Sequence, residues 1–255
     1  MGELDREGLY LQHVAIAGPI PASNYLSQLP VVRTLQDQGG FTFTCPVTIF
    51  VGENGVGKST LVEAIAVLMG FNPEGGTVNF NFSTRDSHSD LAHDLRVLRA
   101  PRRSRDGFFL RAESLYNLAS NIDDLDAEGG GGRRIVDSYG GVSLHAQSHG
   151  ESFLSLVENR FSGKGLYILD EPEAALSPAR VLRLMVDMKQ LVNDGSQFII
   201  STHSPLIMAF PGADVVELTD DGLASVDYRD TEHWQITQHF LENPEQMLAY
   251  LFDNR

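Results

Sequence analysis

Val47-Thr-Ile-Phe-Val-Gly-Glu-Asn-Gly-Val-Gly-Lys-Ser-Thr60 is the stretch that decides the fold, because an apolar run precedes G-x-x-x-x-G-K-S and a helix-forming run follows it. The glycines lack a Cβ, so backbone N–H groups can approach a phosphate, aided by the positive end of the following helix. Lys58 is placed to reach the β- and γ-phosphates of a nucleoside triphosphate, and Ser59 to ligate Mg²⁺. An ordinary Gly-rich turn is the alternative, and the strand-loop-helix setting argues against it. We therefore predict nucleotide contacts along the whole loop, from Gly52, Glu53, Asn54, Gly55, Val56, Gly57, Lys58, Ser59 and Thr60.

The composition is that of an ordinary globular protein. The 255 residues are 42% hydrophobic and 21% charged, enough to bury a large core. The net charge of −15 argues against a surface that attracts nucleic acid everywhere. Cys45 is the single cysteine, which excludes an intrachain disulfide and favours a reducing compartment. No apolar stretch approaches the roughly 20 residues of a membrane span, so we expect a cytoplasmic protein without membrane insertion.

The order of the predicted elements indicates an α/β fold. Short apolar runs bounded by Gly or Pro predict strands at 9–17, 41–45, 47–51, 165–169 and 197–201, and a hairpin from 215–218 and 223–228. Cap and proline signals predict helices at 57–69 and 150–161 and after Ser177, Ser204 and Asn243. The less regular middle predicts strands at 77–82 and 107–110, helices near 87–99 and 112–124, and a mobile loop at 126–134. We expect one domain over 1–255 with a mainly parallel sheet and an inserted helical lobe at about 84–162.

Two carboxylates follow an apolar run in Leu166-Tyr-Ile-Leu-Asp-Glu171. A buried parallel strand would deliver both to the carboxyl edge of the sheet. Asp170 would hold Mg²⁺, directly or through water, and Glu171 would accept a proton from the attacking water.

A second apolar run ends on a histidine in Phe198-Ile-Ile-Ser-Thr-His203. A lone His is more often a satisfied core or surface residue, but after the two motifs above we expect His203 to donate a hydrogen bond to a γ-phosphate. Ser148-His-Gly-Glu-Ser152 stands immediately before a predicted helix. Its hydroxyl, its glycine and the helix N-terminus would form an anion site, although such clusters are usually loops.

These segments carry a resemblance to ABC-type ATPases. Gly52–Ser59, Ser148–Ser152, Leu166–Glu171, Ala174–Ser177 and His203 occur in the order of Walker A, signature, Walker B, D-loop and H-loop. The chain resembles the stand-alone branch that includes the chromosome-maintenance and recombination-repair ATPases. Most of its length is also similar to a family of small bacterial ATPases of the AAA and ABC type, through four segments: Gly107-Phe-Phe-Leu-Arg-Ala-Glu-Ser114, Ser148-His-Gly-Glu-Ser-Phe153, Asp170-Glu-Pro-Glu-Ala-Ala-Leu-Ser-Pro178 and Glu232-His-Trp-Gln-Ile-Thr237.

The resemblance implies ATP and Mg²⁺ as ligands, and a P-loop fold with a mainly parallel sheet, antiparallel strands and a small helical lobe. It also implies an ATP-dependent homodimer that sandwiches two ATPs, with Ser148 and Gly150 of one subunit contacting the γ-phosphate bound to the other. The sequence departs from the family pattern at His149 and at Ser177, where a Gly and an Asp are usual. No Q-loop glutamine is evident after 107–110, where Arg111 or Glu113 stands.

The region between the phosphate loop and the signature is too short for a long coiled coil. It holds a basic cluster, composed of Arg96, Arg99, Arg102, Arg103 and Arg105. The cluster could contact the phosphates of DNA or RNA. A solvated loop, or a patch for an acidic partner, is the favoured interpretation because no interleaved aromatic residues suggest base stacking.

Three functions are compatible with these motifs. The leading hypothesis is a Mg²⁺-dependent ATPase whose ATP-bound dimer switches an effector protein or nucleic acid, in a defence or DNA-repair module. A nucleotide-gated scaffold with little turnover is the alternative, because the signature is altered. A P-loop kinase is disfavoured, because Glu171 beside Asp170 suits water activation and no lid is recognisable.

Overall fold

Two β-sheets form the framework of the protein in a computed structural model that describes residues 8–77, 90–128 and 134–253. The larger sheet has six strands in the order β5-β6-β7-β3-β8-β9, and the smaller has the order β2-β1-β4. The strands are β1 Leu11–Ile16, β2 Phe41–Thr42, β3 Val47–Val51, β4 Leu95–Arg99, β5 Asp106–Arg111, β6 Gly165–Asp170, β7 Gln197–Ser201, β8 Asp214–Thr219 and β9 Gly222–Val226. All pairs in the larger sheet are parallel except β8 with β9. The predicted α/β fold with a mainly parallel sheet is confirmed.

The helices cover both faces of the larger sheet. They are α1 Pro30–Asp37, α2 Lys58–Met69, α3 Leu91–Asp94, α4 Leu115–Glu128, α5 His149–Arg160, α6 Pro178–Asn193, α7 Pro205–Met208, α8 Glu232–Glu242 and α9 Pro244–Asp253. Every residue of β3, β6 and β7 is buried, as expected for parallel strands with helices on both sides. Tyr167 packs in one core cluster and Ile168 in the other, because successive side chains of a strand point to opposite faces.

The register of the parallel strands brings three chain segments to one edge of the sheet. Ser201 at the end of β7 is opposite both Asp170 at the end of β6 and Phe50 near the end of β3. The segments that leave β3, β6 and β7 therefore start at the same level, at the carboxyl edge. This is the edge at which open parallel sheets bind ligands.

The predicted helix near 87–99 is wrong over its described part. Only Leu91–Asp94 is helical, and Leu95–Arg99 forms β4, which pairs antiparallel with β1. Leu95 is buried and Arg96 exposed, an alternation typical of a strand with one buried face. The sequence did not indicate this strand because Leu and Arg favour helices. The predicted strand at 77–82 falls almost wholly outside the described residues.

The predicted insertion at about 84–162 contains more than helices. Its described part supplies β4 to the smaller sheet and β5 to the edge of the larger one, before α4 and α5. The loop predicted at 126–134 begins inside α4, which continues to Glu128, while 129–133 lie outside the described residues. A single domain over 1–255 with a helical lobe remains our proposal.

Candidate nucleotide site

The phosphate loop connects β3 to α2 in a conformation that needs its glycines. Gly57 has φ +99°, and a Cβ there would lie 2.5 Å from a methyl group of Val31. Gly52 has φ +137°, and a Cβ there would lie 2.3 Å from the carbonyl oxygen of Leu218. The backbone can therefore follow this path only without side chains at these positions. The loop leads into the first turn of α2, whose free N–H groups form a site for an anion.

Lys58 lies across this loop. Its Nζ donates to the carbonyl oxygens of Gly52 at 2.8 Å and Glu53 at 2.7 Å. Burial lowers the pKa of Lys58, and the carboxylates of Glu171 and Asp170 oppose that effect. The ammonium group of Lys58 thus lies in the loop and interacts electrostatically with Asp170 and Glu171, the two carboxylates predicted to act with it.

Asp170 ends β6 and is 3% exposed. Its Oδ2 accepts from Arg111 Nε at 3.0 Å, and its Oδ1 is buried without a hydrogen-bond partner among the described residues. A buried carboxylate oxygen without a donor is the kind of ligand that Mg²⁺ takes. This residue therefore fits the predicted metal site, as does the hydroxyl of Ser59 in the first turn of α2.

Arg111 also contacts a third charged residue. Its Nη1 donates to Glu63 Oε2 on α2 at 2.9 Å. Arg111 ends β5 and is opposite Asp170 in the register of β5 with β6. Of the two residues predicted near the Q-loop position, Arg111 is the one that contacts a Walker B carboxylate in the structure.

Glu171 adopts a left-handed backbone conformation, with φ 48° and ψ 53°. Such a conformation is unfavourable for a residue other than glycine, and strained residues of this kind cluster at functional sites. Its side chain is 41% exposed. Burial raises the pKa of Glu171, and the neighbouring carboxylates of Asp170 and Glu173 raise it further. A carboxylate with a raised pKa is a stronger base, which suits proton abstraction from water.

His203 follows β7 and lies beside Glu171, with 3.7 Å between its Nε2 and Glu171 Oε1. Its backbone N–H donates to Glu173 Oε1 at 2.6 Å, and its Nδ1 lies 2.8 Å from Nε2 of His233. Burial, together with the positive charge of Lys58, lowers the pKa of His203 to about 4. The ring is therefore neutral at pH 7, with one nitrogen protonated.

Sequence reasoning gave no role to two residues that contact His203. Glu173 stands two residues after Glu171, inside the segment quoted for the family resemblance, and His233 stands in another such segment on α8. Their contacts with His203 each span 30 positions of the chain. Such contacts depend on the assembled fold, so no local pattern could have indicated them.

The predicted signature residues lie on another part of the surface. Ser148 is exposed, and its hydroxyl donates to Glu151 Oε2 at 2.6 Å and accepts from Arg180 at 3.3 Å. Gly150 is buried against Arg180, so that a Cβ would lie 2.5 Å from a guanidinium nitrogen. Among the described residues, the hydrogen bonds of Ser148 run to α5 and α6 rather than to the phosphate loop. The structure brings together Lys58, Asp170, Glu171 and His203. It leaves Ser148 exposed elsewhere on the surface, and Gly150 buried beneath Arg180.

A cavity of about 600 Å³ adjoins the loop. Its wall includes Asn54 of the loop, Asp220 and Asp221 of the β8–β9 turn, and His233. The carboxylates of this turn disfavour an anion beside them. Within the described residues, no helix has the length and apolar character needed to cross a membrane.

Two family models match the chain over the segments that build this site. Residues 31–103, which contain the phosphate loop, match a family described as "AAA domain". Residues 146–209, which contain Ser148, Asp170, Glu171 and His203, match a family described as "AAA domain, putative AbiEii toxin, Type IV TA system".

Curated relatives include ATP-binding proteins of importers. The chain is 28% identical over 188 residues to the ribose import ATP-binding protein RbsA 1 of Rhizobium meliloti, covering 68% of this chain and 37% of that protein. It is 26% identical over 245 residues to RbsA 2 of Burkholderia ambifaria, covering 85% of this chain and 45% of that protein. The chain therefore spans less than half the length of these relatives.

Solved structures to which the chain is similar include cbiO1 from Clostridium perfringens, part of the ABC transporter complex cbiONQ, at 16% identity and a TM-score of 0.48, covering 96% of this chain and 99% of that one. They also include the SMC head domain from Thermotoga maritima, at 17% identity and a TM-score of 0.41, covering 86% and 99%. In the order of its motifs, in the convergence of their side chains at one sheet edge, and in its family and sequence matches, this chain is similar to P-loop ATPases of the ABC type.

Proposed function

We propose that this domain binds ATP with Mg²⁺ and hydrolyses it to ADP and phosphate. The observation that carries the proposal is the convergence of Lys58, Asp170, Glu171 and His203 at the carboxyl edge of the larger sheet. Lys58 and the loop N–H groups hold the β- and γ-phosphates, and Ser59 and Asp170 are the residues that would hold Mg²⁺. When bound, that ion neutralises charge on the transferring phosphoryl group.

Glu171 and His203 act on the reacting groups. Glu171 accepts a proton from a water molecule whose oxygen attacks the γ-phosphorus, while the bond between that phosphorus and the oxygen bridging to the β-phosphate breaks and ADP leaves. The Nε2 of His203 faces Glu171 and lacks a hydrogen-bond partner within the described residues, so it is available to donate to the γ-phosphate. The position of Glu171 beside Asp170 supports hydrolysis over transfer to a second substrate, because a base there suits activation of water.

We further propose that the active form is an ATP-dependent homodimer. The signature of one subunit, with Ser148 and Gly150, would meet the γ-phosphate held by the loop of the other. The exposure of Ser148, and hydrogen bonds that run away from its own phosphate loop, support this arrangement. ATP hydrolysis would then open the dimer and switch an effector, as expected for the branch that includes chromosome-maintenance ATPases.

Two substitutions test the catalytic proposal. Lys58→Ala should weaken binding of a fluorescent ATP analogue, because the charge that holds the phosphates is lost. Glu171→Gln should keep binding but lose phosphate release, because an amide cannot accept the proton. A phosphorylated acceptor in place of free phosphate would favour the kinase alternative, and negligible turnover with and without the captured effector would favour the scaffold.

A pull-down identifies the effector. The match to a family whose description names a toxin of a toxin–antitoxin system is compatible with a defence module. The basic cluster offers a second surface, where Arg102 donates to Tyr10 and lines a cavity of about 580 Å³ with Arg99, Arg103 and Arg105. The Glu171→Gln protein, loaded with ATP and analysed for bound protein and nucleic acid, decides between the two kinds of effector.

A further inference from the structure

His203 and His233 share one hydrogen bond, and its direction decides what His203 can do. The two ring nitrogens, Nδ1 of His203 and Nε2 of His233, are 2.8 Å apart. A neutral imidazole has one N–H donor and one acceptor nitrogen. If His203 donates to His233, its Nε2 carries only a lone pair. If His233 donates instead, His203 Nε2 carries the hydrogen.

The surroundings of His203 Nε2 distinguish these two arrangements. This atom is buried, has no hydrogen-bond partner among the described residues, and lies 3.7 Å from a carboxylate oxygen of Glu171. A lone pair facing a carboxylate is repelled, whereas an N–H facing it is attracted. The pKa of His203 is lowered to about 4. At neutral pH its ring therefore carries a single proton, which is on either Nδ1 or Nε2.

We propose that His233 is a positioning residue, whose Nε2–H donates to Nδ1 of His203 and thereby keeps the hydrogen of His203 on Nε2, facing Glu171 and the γ-phosphate subsite. The inference rests on the proposed function, because donation by His203 matters only if a γ-phosphate binds there. A hydrogen bond to the second ring nitrogen is a general means by which proteins select the tautomer of a functional histidine.

The start of α8 is built to hold His233 in place. Thr231 is fully buried, and its hydroxyl caps the helix by accepting from the backbone N–H of Trp234 at 3.4 Å and donates to the carbonyl oxygen of Tyr228 at 2.6 Å. The ring of Trp234 packs edge-on against Tyr228, with centroids 4.7 Å apart. His233 lies between these two residues in the chain, so the backbone that carries its ring is held at both sides.

Nuclear magnetic resonance tests the hydrogen-bond direction without nucleotide. In the full chain labelled with ¹⁵N-histidine, ring-nitrogen chemical shifts separate protonated from unprotonated nitrogens, and the signals of His203 are assigned with His203→Gln. We expect His203 Nδ1 to be unprotonated and its Nε2 to be protonated at pH 7.5. A proton on Nδ1 and none on Nε2 would overturn the inference.

Steady-state kinetics tests the consequence. His233→Phe removes the donor, and we expect kcat to fall roughly 10- to 100-fold with the KM for ATP changed less than about twofold, since the phosphates are still held by the loop. His233→Gln keeps an N–H near the position of Nε2 and should recover most of kcat. His239→Phe, at an exposed histidine of the same helix, is the control and should match the wild type.

The outcomes separate the inference from the proposed function. Equal kcat values for His233→Phe, His233→Gln and the wild type would overturn the role of His233 while leaving ATP hydrolysis intact. A wild-type protein that releases no phosphate would contradict the proposed function, and the resonance experiment would still decide the tautomer of His203.

Discussion

Arg111 Nε lies 3.0 Å from Asp170 Oδ2, and Oδ1 of the same carboxylate has no hydrogen-bond partner in the part of the chain that the structure describes. The guanidinium group thus orients the carboxylate, whose other oxygen is the one that we propose holds Mg²⁺. The second contact of Arg111, to Glu63, ties the end of β5 to the helix that follows the phosphate loop. Arg111, one of the two residues that stand near the expected Q-loop position, therefore connects β5, β6 and α2.

Arg111→Met should destabilise the nucleotide-free protein by about 3 kcal/mol, because it leaves two buried carboxylates without this cation. Urea unfolding measures the change. The control is Arg183→Met, which breaks the two ion pairs of a side chain that is 55% exposed, with Glu158 and Asp187, and should lower the free energy of unfolding by less than about 1 kcal/mol. Equal losses in the two variants would show that Arg111 contributes no more than a surface ion pair.

Glu173→Ala should destabilise the segment that carries His203. Glu173 Oε1 accepts from the backbone N–H of His203 at 2.6 Å, and removal of a charged acceptor from a partly buried donor costs about 2 kcal/mol. Glu173→Gln retains an acceptor oxygen and should lose less. The free energy of unfolding and the phosphate-release rate should both follow the order wild type, Gln, Ala. An alanine variant as stable as the glutamine variant would contradict the role of this hydrogen bond.

His203 should make stability depend on pH in the acidic range. Its folded-state pKa is about 4, against 6.5 for an ordinary histidine, so between these values the unfolded chain binds a proton that the folded chain does not. Stability therefore falls as the pH decreases from about 6.5 towards 4, and returns as the pH rises. Between pH 7.5 and pH 5, His203→Gln should lose about 1 to 2 kcal/mol less than the wild type. Urea unfolding at the two pH values checks this, and parallel losses would refute it.

Ser148→Arg should prevent the ATP-dependent dimer while leaving nucleotide binding by the monomer intact. The bulky cation would stand at the exposed start of α5, where the proposed partner's γ-phosphate must approach. The substitution is made in the Glu171→Gln background, and mass is measured by light scattering with saturating ATP. Ser225→Arg, at an exposed position of β9, should still form the dimer. A Ser148→Arg protein that dimerises like this control would exclude the sandwich arrangement.

The sequence predicted those parts of the site that are contiguous in the chain. The phosphate loop, the pair Asp170 and Glu171, and the histidine after β7 each follow a buried strand, and a local pattern is enough to recognise them. The chemistry added by Arg111, Glu173 and His233 depends on which strands are neighbours. Strand order is a property of the whole sheet, so these contacts could not be read locally.

The misassigned segment at 95–99 has a related cause. Leu-Arg-Val-Leu-Arg is compatible with a helix by composition, and what makes it a strand is the edge of β1. Non-local pairing outweighed local propensity there, whereas α2 and α6, which begin with strong local signals, lie where they were predicted.

The position of β3 has a consequence for synthesis of the chain. In the described sheet β3 pairs with β7 and β8, which are made about 150 residues later. A nascent chain that ends before residue 197 therefore contains β3 and the phosphate loop without the two strands that pair with β3. The apolar side chains of β3 then lack the sheet that buries them. During translation, both strands that pair with β3 are available only after Thr219 has left the ribosome. Until then the unpaired edges of β3 are exposed to association with other chains.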